Sequence, residues 1–163
     1  MARIYISLGS NISRERNTRS GIKALRERFG ALELSSVYES EAVGFEGHAF
    51  YNMVIACEVS ESVHDINRAL GAIEDAHGRD RSGPRFSSRT LDLDLLLYDD
   101  LVLDEQGLKL PREEILKNAF VLWPLAEIAP ARLHPMTHKS YAEHWATFDK
   151  SKENLAPIDF RFD

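Results

Sequence analysis

The chain has 163 residues and a formal net charge of −6, enough length to bury one real hydrophobic core but not two typical domains. The acidic balance excludes the broad basic surface that general nucleic-acid or anionic-membrane binding requires, so any basic site must be local. A single cysteine, Cys57, excludes an internal disulfide and suits a reducing cytoplasm, and the apolar runs are too short for a membrane span or a secretory core.

In chain order, Ile4, Ile6 and Leu8 recur at period two in RIYISLG and stop at Gly9, which predicts a strand opening into the turn GSN. Ile22, Leu25 and Phe29 then fall at helical spacing before Gly30, predicting a helix over roughly residues 14–29. LELSSVYES and FYNMVIACEVS are rich in β-branched and aromatic residues, with the glycine-containing EAVGFEGHA between them. They predict two antiparallel strands joined by a loop, with Cys57 a small buried hydrophobe in the second. SVHDINRALGAIEDAHG opens with a capping-box pattern at Ser62 and Asp65, carries Val63, Ile66, Leu70 and Ile73 on one stripe, and stops at Gly78. TLDLDLLLY follows as a strand. The order through residue 98 is therefore β-α-β-β-α-β, an α+β, ferredoxin-like arrangement in which an antiparallel sheet carries helices on one face.

Beyond it, EEILKNAFVLWPLAEIAP and YAEHWATF predict C-terminal helical additions packed on the same core, and Ile158, Phe160 and Phe162 alternate like a short strand. No internal repeat, low-complexity tract or linker interrupts the chain, so residues 1–163 are read as a single domain.

Two features carry chemistry. In TLDLDLLLY, Asp92 and Asp94 share one strand face and Leu91, Leu93 and Leu95 the other, with the two aspartate Cα atoms roughly 6.5–7 Å apart. Such a pair can hold a hard cation, or flank two magnesium ions bridged by phosphate oxygens. The alternative is a half-exposed strand whose acids face water. The apolar run Leu95, Leu96, Leu97 argues instead for a central strand, where unpaired acids would be costly. Just upstream, Arg79, Arg81, Arg85 and Arg89 lie among Gly78, Gly83, Pro84, Ser87 and Ser88, a loop that can converge guanidiniums on phosphate and is expected to close over it when ligand arrives. A solvated charged loop is the plainer alternative. No G-x-x-x-x-G-K-[ST] run is present, which excludes a P-loop, and His134, His138 and His144 match no zinc spacing.

The succession YISLGSN, FYN, GRDR, RTLDLDLLLY and AFVLWPLAEIAP, spanning about residues 3–130, resembles the 6-hydroxymethyl-7,8-dihydropterin pyrophosphokinases of folate biosynthesis. The resemblance implies a ferredoxin-like cytoplasmic enzyme, a monomer acting on small molecules, that transfers pyrophosphate from ATP to a reduced pterin and releases AMP. It implies that Asp92 and Asp94 bind two Mg2+ ions, that Arg79 and Arg89 are catalytic, and that Glu74, Arg81, Phe86, Arg112 and Lys117 lie on the nucleotide side. It also implies that Phe50 and Phe120 sandwich the pterin, with Asn52 on its polar edge and backbone near Ser40 and Val43 completing the recognition. The chain departs from the family pattern where Ser87 and Ser88 replace a Gly-Pro now displaced to Gly83-Pro84, where Arg112 replaces a usual histidine, and where Asn118 replaces an arginine. Two rival readings are a non-catalytic paralogue that binds nucleotide or pterin, and an RNA-binding module on the same fold. The acidic charge and the lack of an aromatic-basic RNP1 run count against the second.

Overall fold

A computed structural model describes residues 1–40, 49–78, 90–151 and 153–162. The elements run β1 (Ala2–Ser10), α1 (Arg14–Phe29), β2 (Glu33–Leu34), β3 (Val37–Ser40), β4 (Phe50–Val59), α2 (Val63–Ala76) and β5 (Asp92–Tyr98). They continue with β6 (Leu103–Glu105), β7 (Leu108–Leu110), α3 (Glu114–Lys117), α4 (Ala119–Ile128), α5 (Tyr141–Thr147) and β8 (Leu155–Ile158). The main sheet has the order β5-β1-β4-β3-β8, antiparallel throughout, with β2 also pairing to β4. Its first seven elements keep the expected β-α-β-β-α-β succession once β2 and β3 are counted as one interrupted strand.

Alternation in β1 builds the first core. Ile4, Ile6 and Leu8 lie opposite Cys57, Ile55 and Met53 of β4, and Ile22 and Leu25 of α1 with Ile66 and Leu70 of α2 cover them. Burial pushes the Cys57 thiol up to about 11, which keeps it a neutral packing group. Ser62 caps α2 by accepting from the Asp65 N–H at 3.3 Å.

The C-terminal helices do not join this core, contrary to the expectation from sequence. Ile115, Val121, Leu122, Leu125 and Tyr141 form a second core on the opposite sheet face with Tyr5, Val54, Ala56, Leu96 and Leu97. The sheet is therefore covered on both sides. The same fact corrects the reading of β5 as a central strand, since β5 is at the edge of the sheet. Its leucine run is buried because a register shift between Tyr5 and Ile6 of β1 breaks the alternation of β5, so Leu96 and Leu97 both enter the second core while Leu95 stays in the first.

LELSSVYES is likewise two strands. Leu34 pairs with Ile55 but Tyr38 with Asn52, so one extra residue is accommodated around Ser35 and Ser36. Side chains satisfy the interrupted ladder: the Val54 N–H donates to Ser35 Oγ at 2.9 Å, and the Ser36 N–H donates to both carboxylate oxygens of Glu127 at 3.0 Å. The Tyr38 hydroxyl donates to the same carboxylate at 2.6 Å, and burial followed by that carboxylate raises its pKa.

The β6–β7 hairpin went unforeseen. Its two-residue turn has positive φ at Gln106 and Gly107, and glutamine at the first position disguises the usual Asn-Gly signal. At the C-terminus the strand is β8, paired with β3. Phe160 and Phe162 lie just beyond it and pack on the first core, Phe160 meeting Tyr51 edge-on at 5.6 Å.

His134 holds the turn before α5. Its Nδ1 accepts from the N–H groups of Met136 and Thr137 at 3.1 and 3.2 Å, which requires a neutral acceptor nitrogen. Burial first, then His144 and His138, lowers its pKa below the ordinary 6.5. A depressed folded-state pKa means that this contribution to stability is complete above about pH 6.5 and is lost as pH falls toward the folded-state value. In chemical denaturation between pH 8 and 5, His134→Asn, which keeps an acceptor but cannot titrate, should show a flatter decline in stability than the parent chain. An unchanged slope would assign the decline to other groups.

Candidate active site

The polar residues of the sheet gather on the face that carries the second core. Gly9 of β1 lies opposite Asp92 of β5 on one side and Asn52 of β4 on the other, and Asn52 in turn lies opposite Tyr38 of β3. Directly paired residues point to the same face, so Asp92, Gly9, Asn52 and Tyr38 form one row across four strands. Asp94 stands in the next row of that face, opposite Ser7. With strands about 4.8 Å apart, the Asp92 and Asn52 backbones are roughly 10 Å from one another, a span suited to a small ligand.

Gly9 lets its neighbours close in on the middle of the row. A Cβ there would lie 3.3 Å from Asn52 Oδ1 and 3.7 Å from the Phe50 ring. Sequence reading treated Gly9 only as a strand terminator, although a glycine inside a paired strand is itself a sign of close approach. Asn52 is 6% exposed and its Nδ2 donates to Ser40 Oγ at 2.7 Å, which fixes the amide with Oδ1 toward Gly9. Phe50 is half-buried on the same face, paired with Ser40, and Phe120 is half-buried at the start of α4 against the second core. Ser40, Phe50 and Asn52 are thus brought together.

The expected nucleotide-side residues divide. Arg112 reaches one of the aspartates, its guanidinium 3.2 Å from Asp94 Oδ1 and 2.7 Å from Glu114 Oε2. Lys117 instead has an exposed side chain paired with Glu113 at 3.4 Å. Glu74 is neither solvated nor on the outer face of α2. It is 6% exposed, and its Oε2 accepts from the Leu93 N–H at 2.8 Å, on the edge of β5 between the two aspartates. The signal was present in the spacing, because Ile66, Leu70 and Glu74 are successive i, i+4 positions of one stripe. Ser10 adds a further anchor by donating to the Thr90 carbonyl at 2.6 Å, just ahead of β5. Val43, Arg79, Arg81, Phe86 and Arg89 lie outside the described residues.

Asp92 and Asp94 are part-exposed oxygen donors on one face, the donor chemistry that a hard divalent cation takes. Among the described residues no three His, Cys, Asp or Glu side chains group into a cage. A cation here would draw its remaining oxygens from water and phosphate, as magnesium does in substrate-completed sites, so the residues present fit Mg2+.

Residues 5–130 match the family described as 7,8-dihydro-6-hydroxymethylpterin-pyrophosphokinase, HPPK. The chain belongs to the HPPK family. It is 34% identical over 145 residues to the 2-amino-4-hydroxy-6-hydroxymethyldihydropteridine pyrophosphokinase of Aquifex aeolicus, covering 88% of this chain and 90% of that one. With the Pseudomonas aeruginosa protein of the same name it shares 38% over 132 residues, covering 78% and 81%. Among solved structures it superposes on a Plasmodium falciparum HPPK-DHPS with pteroate at a TM-score of 0.71 and 12% identity, over 89% of this chain and 42% of that one. An HPPK-DHPS in complex with substrates gives 0.71 at 10% identity, over 92% and 43%. The chain thus spans less than half of these larger proteins, and the likeness shows that the HPPK fold is shared.

The Glu74 contact is testable by itself. Removing a buried acceptor strands the Leu93 N–H, so Glu74→Ala should lower the unfolding free energy by about 1–3 kcal/mol in urea titration, and Glu74→Gln, which retains an acceptor oxygen, by less. Equal losses would make the charge, rather than the hydrogen bond, the stabilising feature.

Proposed function

We propose that this chain transfers the terminal pyrophosphate of ATP to the hydroxymethyl group of 6-hydroxymethyl-7,8-dihydropterin and releases AMP, a step of folate biosynthesis. The observation that carries the reading is the row Asp92, Gly9, Asn52, which sets a carboxylate and an oriented amide on one sheet face across a single side-chain-free position. In the reaction the hydroxyl oxygen bonds to the β-phosphorus, the bond from that phosphorus to the α,β-bridging oxygen breaks, AMP leaves with the electron pair, and the hydroxyl proton passes to solvent. Little covalent chemistry falls to the protein; positioning and charge neutralisation dominate.

Two Mg2+ ions, when bound, would neutralise triphosphate charge and hold the phosphates, with Asp92 and Asp94 as their protein ligands. Asn52, with Nδ2 engaged by Ser40, presents Oδ1 to an N–H on the pterin edge, and Phe50 and Phe120 supply apolar faces for the flat ring. Gly9 lets the Asn52 amide and the Phe50 ring approach the β1 backbone closely. From the sequence resemblance we assign Arg79, Arg81 and Arg89 to the phosphates, Val43 to backbone recognition of the pterin, and Glu74, Phe86 and Lys117 to the nucleotide side. On the single cysteine and the family resemblance, the chain is read as a cytosolic monomer acting on small molecules.

AMP formation from ATP should require the pterin, which separates an enzyme from a binding-only paralogue. Asp92→Ala and Asp94→Ala should each lower kcat by at least about 100-fold while unfolding cooperatively, on the scale of losing an electrostatic stabiliser of the transition state. Near-parental turnover at limiting magnesium would remove the metal assignment.

Pterin recognition is checked by calorimetry with the pterin and, separately, an ATP analogue. Phe120→Ala should weaken pterin binding by about 1–2 kcal/mol, and Gly9→Ala should also act on the pterin far more than on the nucleotide. Equal losses for both ligands would mark Phe120 as a packing residue only.

A further inference from the structure

Arg112 stands where a bound cation would be least compatible with it. The guanidinium is 3.2 Å from Asp94 Oδ1, and its Nε edge donates to Glu114 Oε2 at 2.7 Å, so one positive charge is shared between two carboxylates. The main chain at this point is pinned: the Arg112 N–H donates to the Leu96 carbonyl at 3.1 Å, and its own carbonyl accepts from the N–H of the fully buried Ile115 at 3.2 Å. Only the side chain has freedom, and at 30% exposure it has room to turn.

A divalent ion on Asp94 and a guanidinium on the same carboxylate repel one another at a few ångströms, and the carboxylate oxygens cannot satisfy both fully. A triphosphate changes the balance, because it offers the guanidinium an alternative anionic partner that suits its planar fork.

We infer that Arg112 is a two-position residue: it occupies Asp94 as a surrogate cation in the nucleotide-free protein, then turns onto the polyphosphate and releases Asp94 to the metal, with Glu114 holding the Nε edge throughout. This rests on the reading of Asp94 as a metal ligand. Its consequence is an order of loading, in which divalent cation enters with the nucleotide because the nucleotide removes the charge that excludes it. Glu114 acts as a positioning residue, through Arg112, which itself meets the polyphosphate.

The experiment is Mn2+ binding to the whole chain, followed by electron paramagnetic resonance, first with the metal alone and then with a non-hydrolysable ATP analogue. Arg112→Gln should tighten binding of Mn2+ alone about tenfold, the size expected for removing a unit charge near a divalent ion at a half-exposed site. Arg112→Lys, which keeps the charge, should stay near the parent. The analogue should strengthen Mn2+ binding much more in the parent than in Arg112→Gln. An Arg112→Gln variant that binds free Mn2+ no better than the parent, including the case where neither binds it, overturns the inference. Asp94→Asn, measured with the analogue present, separates the two levels: if it weakens Mn2+ binding while Arg112→Gln changes nothing, the metal reading stands without the Arg112 switch, and if it too changes nothing the metal reading fails as well.

Discussion

Everything at the candidate site hangs on the register of β1 between its two neighbours. Because side chains alternate along a strand, a slip of one residue against β4 or β5 would send Ile4, Ile6 and Leu8 to the wrong face and turn Asp92 or Asn52 into the first core. The register is held by apolar pairs on one face, Ile6 against Ile55 and Leu95 among them, and the site on the other face inherits its geometry from them. The aspartates and the amide need no contact with one another. Their spacing is a by-product of hydrophobic pairing one layer below.

The second core lets a polar site exist on a face that is otherwise buried. Leu96, Leu97, Val54 and Ala56 occupy one end of this face beneath α4, while Asp92, Asp94, Gly9 and Asn52 occupy the other. The division falls at the β5 irregularity. Before it, alternate residues of the strand are acids open to water; after it, two successive leucines are enclosed. Glu74 and Arg112 approach this strand from different elements, and each uses a main-chain group of β5 that β1 leaves open.

Much of this was legible before any coordinates. Regular alternation and helical stripes located β1, α1 and α2, and the Asp-x-Asp spacing put both acids on one face because a strand admits no other outcome. What stayed hidden depends on partners that a linear pattern does not name. Three successive leucines look alike whether a strand is central or is an edge strand with a bulge between two cores, so the position of β5 was misread. The serines at 35 and 36 gave no hint that Glu127, far along the chain, would satisfy the break they make. Gln106 concealed a hairpin whose geometry turns on Gly107. Glu74 is different: its i, i+4 spacing from Leu70 on α2 was a sign of burial that its charged type masked.

The occupied margin of β5 also governs how these molecules behave toward one another. An edge strand with unpaired main-chain groups is a template on which a second chain can add a strand, the first step toward aggregation. Here the Leu93 N–H is taken by Glu74 and the Leu96 carbonyl by the Arg112 N–H, so two of the groups a neighbour would need are already engaged. At the far side of the sheet, β8 carries Pro157, which has no N–H to offer. The residues that border the candidate site therefore also help to keep concentrated solutions of the protein from joining sheet to sheet.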